Sequence, residues 1–212
     1  PMSTRHTVAD GDHMTGIAEK YGFKDFHTIW DHADNEPLRQ LRSEPHVLFP
    51  GDVVAIPDKT PRKEARPTDK LHRFRLLSKP LKLRIALKDF DNLPIKGQAC
   101  ELTVDGATFH LTTDGDGMIE TPIPKAATTG LLKVPDLDIE FPVKIGHLDP
   151  FDEESGWQGR LVNLGYYPGA VGDNDLEPLR HALEEFQCDH ALPVTGEPDG
   201  ATLAKLKAEH GS

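Results

Sequence analysis

Hydrophobic positions along the chain follow two periods, and the switches between them divide it. Met14, Ile17, Ala18 and Tyr21 recur at helical spacing, and Phe26, Ile29, Trp30 and Ala33 repeat it. Thr4–Val8 ahead of them and Val53-Val54-Ala55-Ile56 behind read as short strands. The first is ended by Asp10-Gly11 and the second is entered through Phe49-Pro50-Gly51-Asp52. Asp12 is placed to cap the first helix, Gly22 to stop it and Asp25 to open the second. From Leu81 the period drops to two. Leu81, Leu83, Ile85 and Leu87 alternate with Lys82, Arg84, Ala86 and Lys88, and Cys100, Leu102 and Val104 run into the hairpin signal Asp105-Gly106. Phe109 and Leu111 continue this pattern, and Leu137, Ile139, Phe141, Val143 and Ile145 make the longest alternation. Helical spacing resumes with Trp157, Leu161 and Leu164, then Leu176, Leu179, Leu183 and Phe186, then Leu203 and Leu206 behind an Asp199 cap.

Between the first two periods lies Lys59–Asp69, with Pro61, Pro67, many charges and no apolar residue beyond Ala65, which is linker composition. The expected fold is multidomain α+β. It comprises a βααβ module over 4–58, a linker over 59–71, an all-β sandwich over 72–147 and a three-helix domain over 148–212. A hydrophobic content of 37% with 28% charged residues is a globular composition rather than a disordered one. No apolar run approaches the roughly 18 residues of a membrane span. No basic start followed by an apolar core reads as a signal peptide, so synthesis in the cytosol is expected, and Pro1 ahead of Met2 reads as a tag remnant. A net charge of −11 argues against a nucleic-acid backbone as partner. The charge is unevenly spread, basic from Lys70 to Lys96 and acidic from Asp149 onward, which reads as two solvated faces. Cys100 and Cys188 fall in different domains and in apolar patterns, so buried reduced thiols are expected rather than a disulfide.

The 11 histidines form no His-Glu-x-x-His, and no Cys-x-x-Cys supports them. There is no Gly-x-Ser-x-Gly elbow, no phosphate loop and no Ser-x-Gly-Cys. Asp114, Asp116 and Glu120 lie in Thr113-Asp-Gly-Asp-Gly117-Met-Ile-Glu120, which lacks the bidentate Glu of an EF-hand, so a tight glycine turn is expected there. The reading is of a chain without catalysis, metal or cofactor.

The order strand, Gly11-Asp12 turn, two helices, Pro50-Gly51 turn and strand resembles a LysM domain, a small module that grips N-acetylglucosamine polymers such as peptidoglycan. The resemblance implies a sugar groove between two loops, Gly11, Asp12, His13, Met14 and Thr15 on one side and Leu48, Phe49, Pro50 and Gly51 on the other. The chain departs from the family by a longer charged insertion, Asp34–Pro45, expected to cover or reshape one end of that groove. Pro94-Ile-Lys-Gly97 with the Thr113–Gly117 turn resembles immunoglobulin-like sandwiches of the transthyretin and carboxypeptidase-regulatory type, which space or present other domains.

Leu164-Gly-Tyr-Tyr167, Phe186-Gln187, Val194-Thr-Gly196 and Asp199-x-x-Thr202 resemble the three-helix peptidoglycan-binding domain. That implies Tyr166, Tyr167, Gly169 and Asp173 as wall contacts. Glu177-Pro-Leu-Arg180 departs from the family's Gly-Pro-x-Thr. The whole order, with Ile29–Arg39 and His147-Leu-Asp-Pro150, resembles LysM-containing proteins of type VI secretion and related contractile injection loci. It implies a non-catalytic peptidoglycan binder acting in the periplasm or cell wall after delivery. The alternatives are an adaptor that contacts the injection spike or an effector, and, more distantly, a wall hydrolase.

Overall fold

A computed structural model describes residues 4–59, 68–71, 80–89, 91–167, 169–172 and 176–211. Strand β1 (Thr4–Thr7) pairs antiparallel with β2 (Val53–Ile56), Thr4 opposite Ile56 and Thr7 opposite Val53. Between them run α1 (Met14–Lys20), α2 (His27–Trp30), a 3₁₀ turn over Ala33–Asn35 and α3 (Glu36–Leu41). Met14, Ile17, Ala18, Ile29, Trp30, Leu38, Val54 and Ile56 close one core.

The expected βααβ layout is corrected here to three helices. The Asp34–Pro45 insertion is itself helical. Pro37 sits in the first turn of α3, where its missing N–H removes no hydrogen bond, and Leu38 is buried. The second helix ends at Trp30 and does not reach Ala33. Nor does Asp12 cap α1. His13 does, its Nδ1 accepting from the Gly16 amide at 3.3 Å, while the Asp12 carboxylate turns back to the Ala9 amide and the His6 ring, both at 2.9 Å. Tyr21 lies just past the helix, packed on the core with its hydroxyl 3.2 Å from His6 Nδ1. Asn35, 1% exposed, ties the helices to the sheet. Its amide donates to the Ile29 and Ala55 carbonyls, each at 2.8 Å, and its oxygen accepts from the Ala55 amide at 2.7 Å.

The central module has two sheets. Strand β3 (Leu81–Ala86) is followed by β4 (Ala99–Val104), β5 (Ala107–Thr112), β6 (Met118–Ile123), β7 (Thr129–Val134) and β8 (Ile139–Lys144). Among the described residues β3 pairs with β6, and β5-β4-β7-β8 form a four-stranded antiparallel sheet. Cys100, Leu102, Val104, Ile119, Ile123, Leu132 and Val134 are buried in one cluster drawn from both. Asp105 and Gly106 both take positive φ (48° and 77°), the conformation that a two-residue hairpin turn demands. Asp114 Oδ1 accepts from the amides of Asp116 and Met118, each at 2.9 Å, closing a local turn, and no metal-holding cluster occurs among the described residues. Leu137 falls in a 3₁₀ turn and not in the last strand. Ile139 and Phe141, on β8 at the edge of the sheet, stay 39% and 42% exposed.

The C-terminal domain packs α4 (Glu154–Asn163), α5 (Leu176–Asp189) and α6 (Gly200–His210) around Trp157, Leu161, Leu179, Leu183, Phe186 and Leu206. Asp199 caps α6, its Oδ1 accepting from the Thr202 amide at 2.9 Å. Cys188 is exposed, contrary to expectation, while Cys100 is buried. Two positions beyond the core residue Phe186, Cys188 is rotated about 200° around α5 and faces water. No described helix is long and apolar enough to cross a membrane.

Candidate functional site

The first candidate site is the loop before α1. Gly11 carries a φ of +83° that an L side chain would resist, and it is buried together with His13, Met14 and Thr15. Met14 is wholly enclosed in the N-terminal core, as is Leu48 at 3% exposed, so neither lines a groove. Asp12, Phe49, Pro50 and Gly51 reach the surface. A crevice of about 190 Å³ is lined by Gly11, Asp12 and His13 from the N-terminal module and by Ala126 and Thr128 from the central one. Phe49 lies elsewhere, under the Arg42 guanidinium at 5.5 Å.

The central module covers this loop directly. His147 Nδ1 pairs with Asp10 at 3.0 Å, and its ring lies where a Gly11 Cβ would meet it at 3.0 Å. A Cβ on Gly146 would meet the Gly11 carbonyl oxygen at 2.7 Å, and Lys125 donates to the Lys24 carbonyl at 3.0 Å. The Asp34–Pro45 insertion was expected to reshape the groove. Its Arg42 instead turns toward the other end of the chain. Arg42, 5% exposed, forks onto Asp52 through Nε at 2.9 Å and Nη2 at 3.2 Å, and reaches Asp152 and Glu153 at 3.3 Å. Burial opposes the charge on this guanidinium, but the hydrogen bond to Asp52 and the surrounding carboxylates outweigh it and raise its pKa.

In the C-terminal domain Tyr167 is 3% exposed and belongs to the core, which corrects the expectation that it is a wall contact. Gly169 is required by that ring, because a Cβ there would fall 2.5 Å from the Tyr167 hydroxyl. Tyr166 is half-buried. Its hydroxyl donates to Asp189 at 2.9 Å and accepts from Asn92 of the central module at 3.1 Å, and its ring meets Phe186 edge-on at 5.2 Å. Burial, then the Asp189 carboxylate, pushes the phenol pKa upward. Tyr166 thus joins two modules. Asp173 lies outside the described residues.

Sequence reasoning missed what the Phe-Gln and Thr-Gly motifs do. Gln187 is fully buried, and its side-chain oxygen accepts from the amides of Thr195 (2.8 Å) and Gly196 (2.9 Å). Its side-chain nitrogen lies 3.0 Å from Thr195 Oγ1, 3.0 Å from the Glu197 carbonyl and 2.9 Å from Thr202 Oγ1. One side chain therefore fixes the whole loop between α5 and α6. The signal was there: a polar residue beside Phe186 on the buried face of a helix needs partners.

Also missed was a cleft of about 320 Å³ between the α3 end of the N-terminal module and the C-terminal domain. Arg39 and Arg42 stand on one wall and Phe151, Arg160 and Lys207 on the other. Arg160, 1% exposed, donates to the carbonyls of Asp149 (3.0 Å) and Gly156 (2.8 Å) and stacks 5.0 Å above the Phe151 ring. The Lys207 ammonium is 5.7 Å from the same ring.

No curated protein and no solved structure matches the chain at a significant level. Residues 157–206, which hold α5 and most of α4 and α6, match the family model described as "Putative peptidoglycan binding domain", and peptidoglycan binding is the activity this match attaches to the C-terminal domain.

Proposed function

We propose that the chain is a non-catalytic binder of bacterial cell-wall peptidoglycan whose wall contact lies on the C-terminal domain. The observation that carries the reading is the family match over 157–206, on a three-helix core whose motif residue Gln187 is fully satisfied. The N-terminal module, which resembles LysM domains, and the central sandwich act in this reading as a brace for that domain. Arg42, His147 and Tyr166 are the connecting contacts. The test is sedimentation with insoluble peptidoglycan at moderate salt. The intact chain is expected in the pellet, and recovery in the supernatant overturns the reading.

A second reading, an adaptor that binds protein, is favoured by one observation. The loop that would meet N-acetylglucosamine polymer is packed against His147 and Gly146 of the same chain, which takes it away from glycan. Association with a contractile injection system rests on the sequence resemblance. In that reading the protein acts in the periplasm or cell wall after delivery, with a spike or effector as partner. Co-purification from a producing cell tests it, and recovery of the chain alone counts against it.

A further inference from the structure

We infer that the cleft between α3 and the C-terminal domain is a composite site for a short peptide with a free carboxylate, of the kind that peptidoglycan stems carry. The chemical class of the ligand follows from the walls, and its source rests on the wall-binding reading above.

The chain carries −11 overall, yet Arg39, Arg42, Arg160 and Lys207 converge on this one opening, where Glu44 and Asp152 also line it and Glu36, Asp52 and Glu153 pair with Arg39 and Arg42. Several of these cations are fixed in place. Arg39 is held by the carbonyls of Trp30 and His32 and by Glu36. Arg42 is forked on Asp52, and Arg160 is locked by two backbone carbonyls. Such a field is built before any ligand arrives, so little reorganisation opposes binding. Asp152 and Glu153 hold the outer nitrogen of Arg42 at 3.3 Å, and their side chains are 63% and 35% exposed. A ligand carboxylate can therefore replace them there without stranding a buried charge. Lys207 is exposed and presents its ammonium beside Phe151, whose ring gives the floor an apolar surface for a small aliphatic side chain.

The volume, about 320 Å³, sits at the low end of ligand pockets and suits a di- or tripeptide of small residues. A neutral glycan would gain little from converging cations. A polyanion would meet the acidic surface around the cleft. Because one wall is α3 and the other is α6 with Phe151, neither end of the chain contains the site by itself.

The test uses the full chain and calorimetric titration with two soluble probes, a wall disaccharide bearing a tripeptide and the same disaccharide without it. Insoluble peptidoglycan is sedimented in parallel. Lys207→Glu reverses an exposed cation, and Leu41→Trp fills the mouth of the cleft from a position 57% exposed. Both variants are checked by thermal melting. The peptide-bearing probe is expected to bind and the bare disaccharide not to, with each variant weakening the first at least tenfold. Equal affinity for the two probes, or unchanged affinity in both variants, overturns the inference. If the wall sediments the chain while the peptide-bearing probe does not bind, the inference falls and the wall reading stands. If neither binds, both fall. If the probe binds through the cleft and the wall does not sediment the chain, the site stands and the wall reading falls.

Discussion

Replacing Gln187 by Met keeps the volume and removes every polar contact of the side chain. The Gly196 amide is then left buried without its acceptor, at about 1–3 kcal/mol. The Thr195 amide and the Glu197 carbonyl belong to exposed residues and can turn to water, so each loses only the net worth of a hydrogen bond, about 1 kcal/mol. The Thr195 and Thr202 hydroxyls can rotate to other partners. The sum is about 3–5 kcal/mol. It is expected as a lower urea midpoint for the C-terminal domain, followed by the fluorescence of Trp157, which sits in that core. Amide hydrogen exchange at Thr195 and Gly196 should accelerate by more than exchange at Leu161, if the loop opens before the helices do. Gln187→Glu is a sharper control. A carboxylate still accepts from both amides but faces the Glu197 carbonyl, which raises its pKa in the folded state. Relative to the parent at the same pH, its stability should therefore be highest at acid pH and fall as pH rises above the unfolded carboxylate value of about 4.3. An unfolding free energy for Gln187→Met within about 0.5 kcal/mol of the parent's would refute the claim that this side chain holds the loop.

Other perturbations reach other parts of the fold. His13 is held down to about 4 by burial, then by His46, against a smaller opposing effect of Asp12; His210 is held down to about 4 by burial, then by Arg160. The unfolded chain takes up protons near pH 6.5 that the folded chain refuses, so stability is intact above that pH and falls as pH drops toward 4, by up to about 3 kcal/mol per group. Urea midpoints at pH 7.5, 6 and 5 measure this, and the slope should shrink in His13→Gln; a flat profile contradicts it. Gly156→Ala drives a methyl into the Pro150 carbonyl at the start of α4 and should cost about 1–3 kcal/mol, read as a lower Tm; an unchanged Tm would mean that this approach is not close in solution. Asn35→Ala orphans the buried Ala55 amide and two carbonyls and should destabilise the N-terminal module by about 2–4 kcal/mol, seen as faster exchange at Ala55.

Local signals were legible in the sequence wherever local chemistry decides the structure. The Asp199 cap, the Asp105-Gly106 turn and the Leu161, Leu183, Phe186 and Leu206 stripes each depend on residues within a few positions. What stayed hidden was decided across the chain. Asp12 is the capping candidate that the sequence offers, but His6 on β1 and the Ala9 amide take its carboxylate, and His13 caps the helix instead. Helix α3 reads as a charged insertion because Leu38 alone is buried along it. Tyr166 and Tyr167 are neighbours in an aromatic motif, yet one fills a core and the other links to Asn92 in a separate module. Arg42 reads as one more surface charge until Asp52, Asp152 and Glu153 are brought around it.

The close approach of Gly146 to Gly11 changes how deletion mapping of this chain should be read. A fragment ending before the central module would uncover the part of the loop before α1 that the intact chain packs against Gly146 and His147. Any affinity that fragment displayed would be a product of the scissors, an unmasking, and would not add to the affinity of the whole. Point substitutions at His147 or Gly146, which leave every residue of the loop in place, are the means of separating a latent surface from a working one.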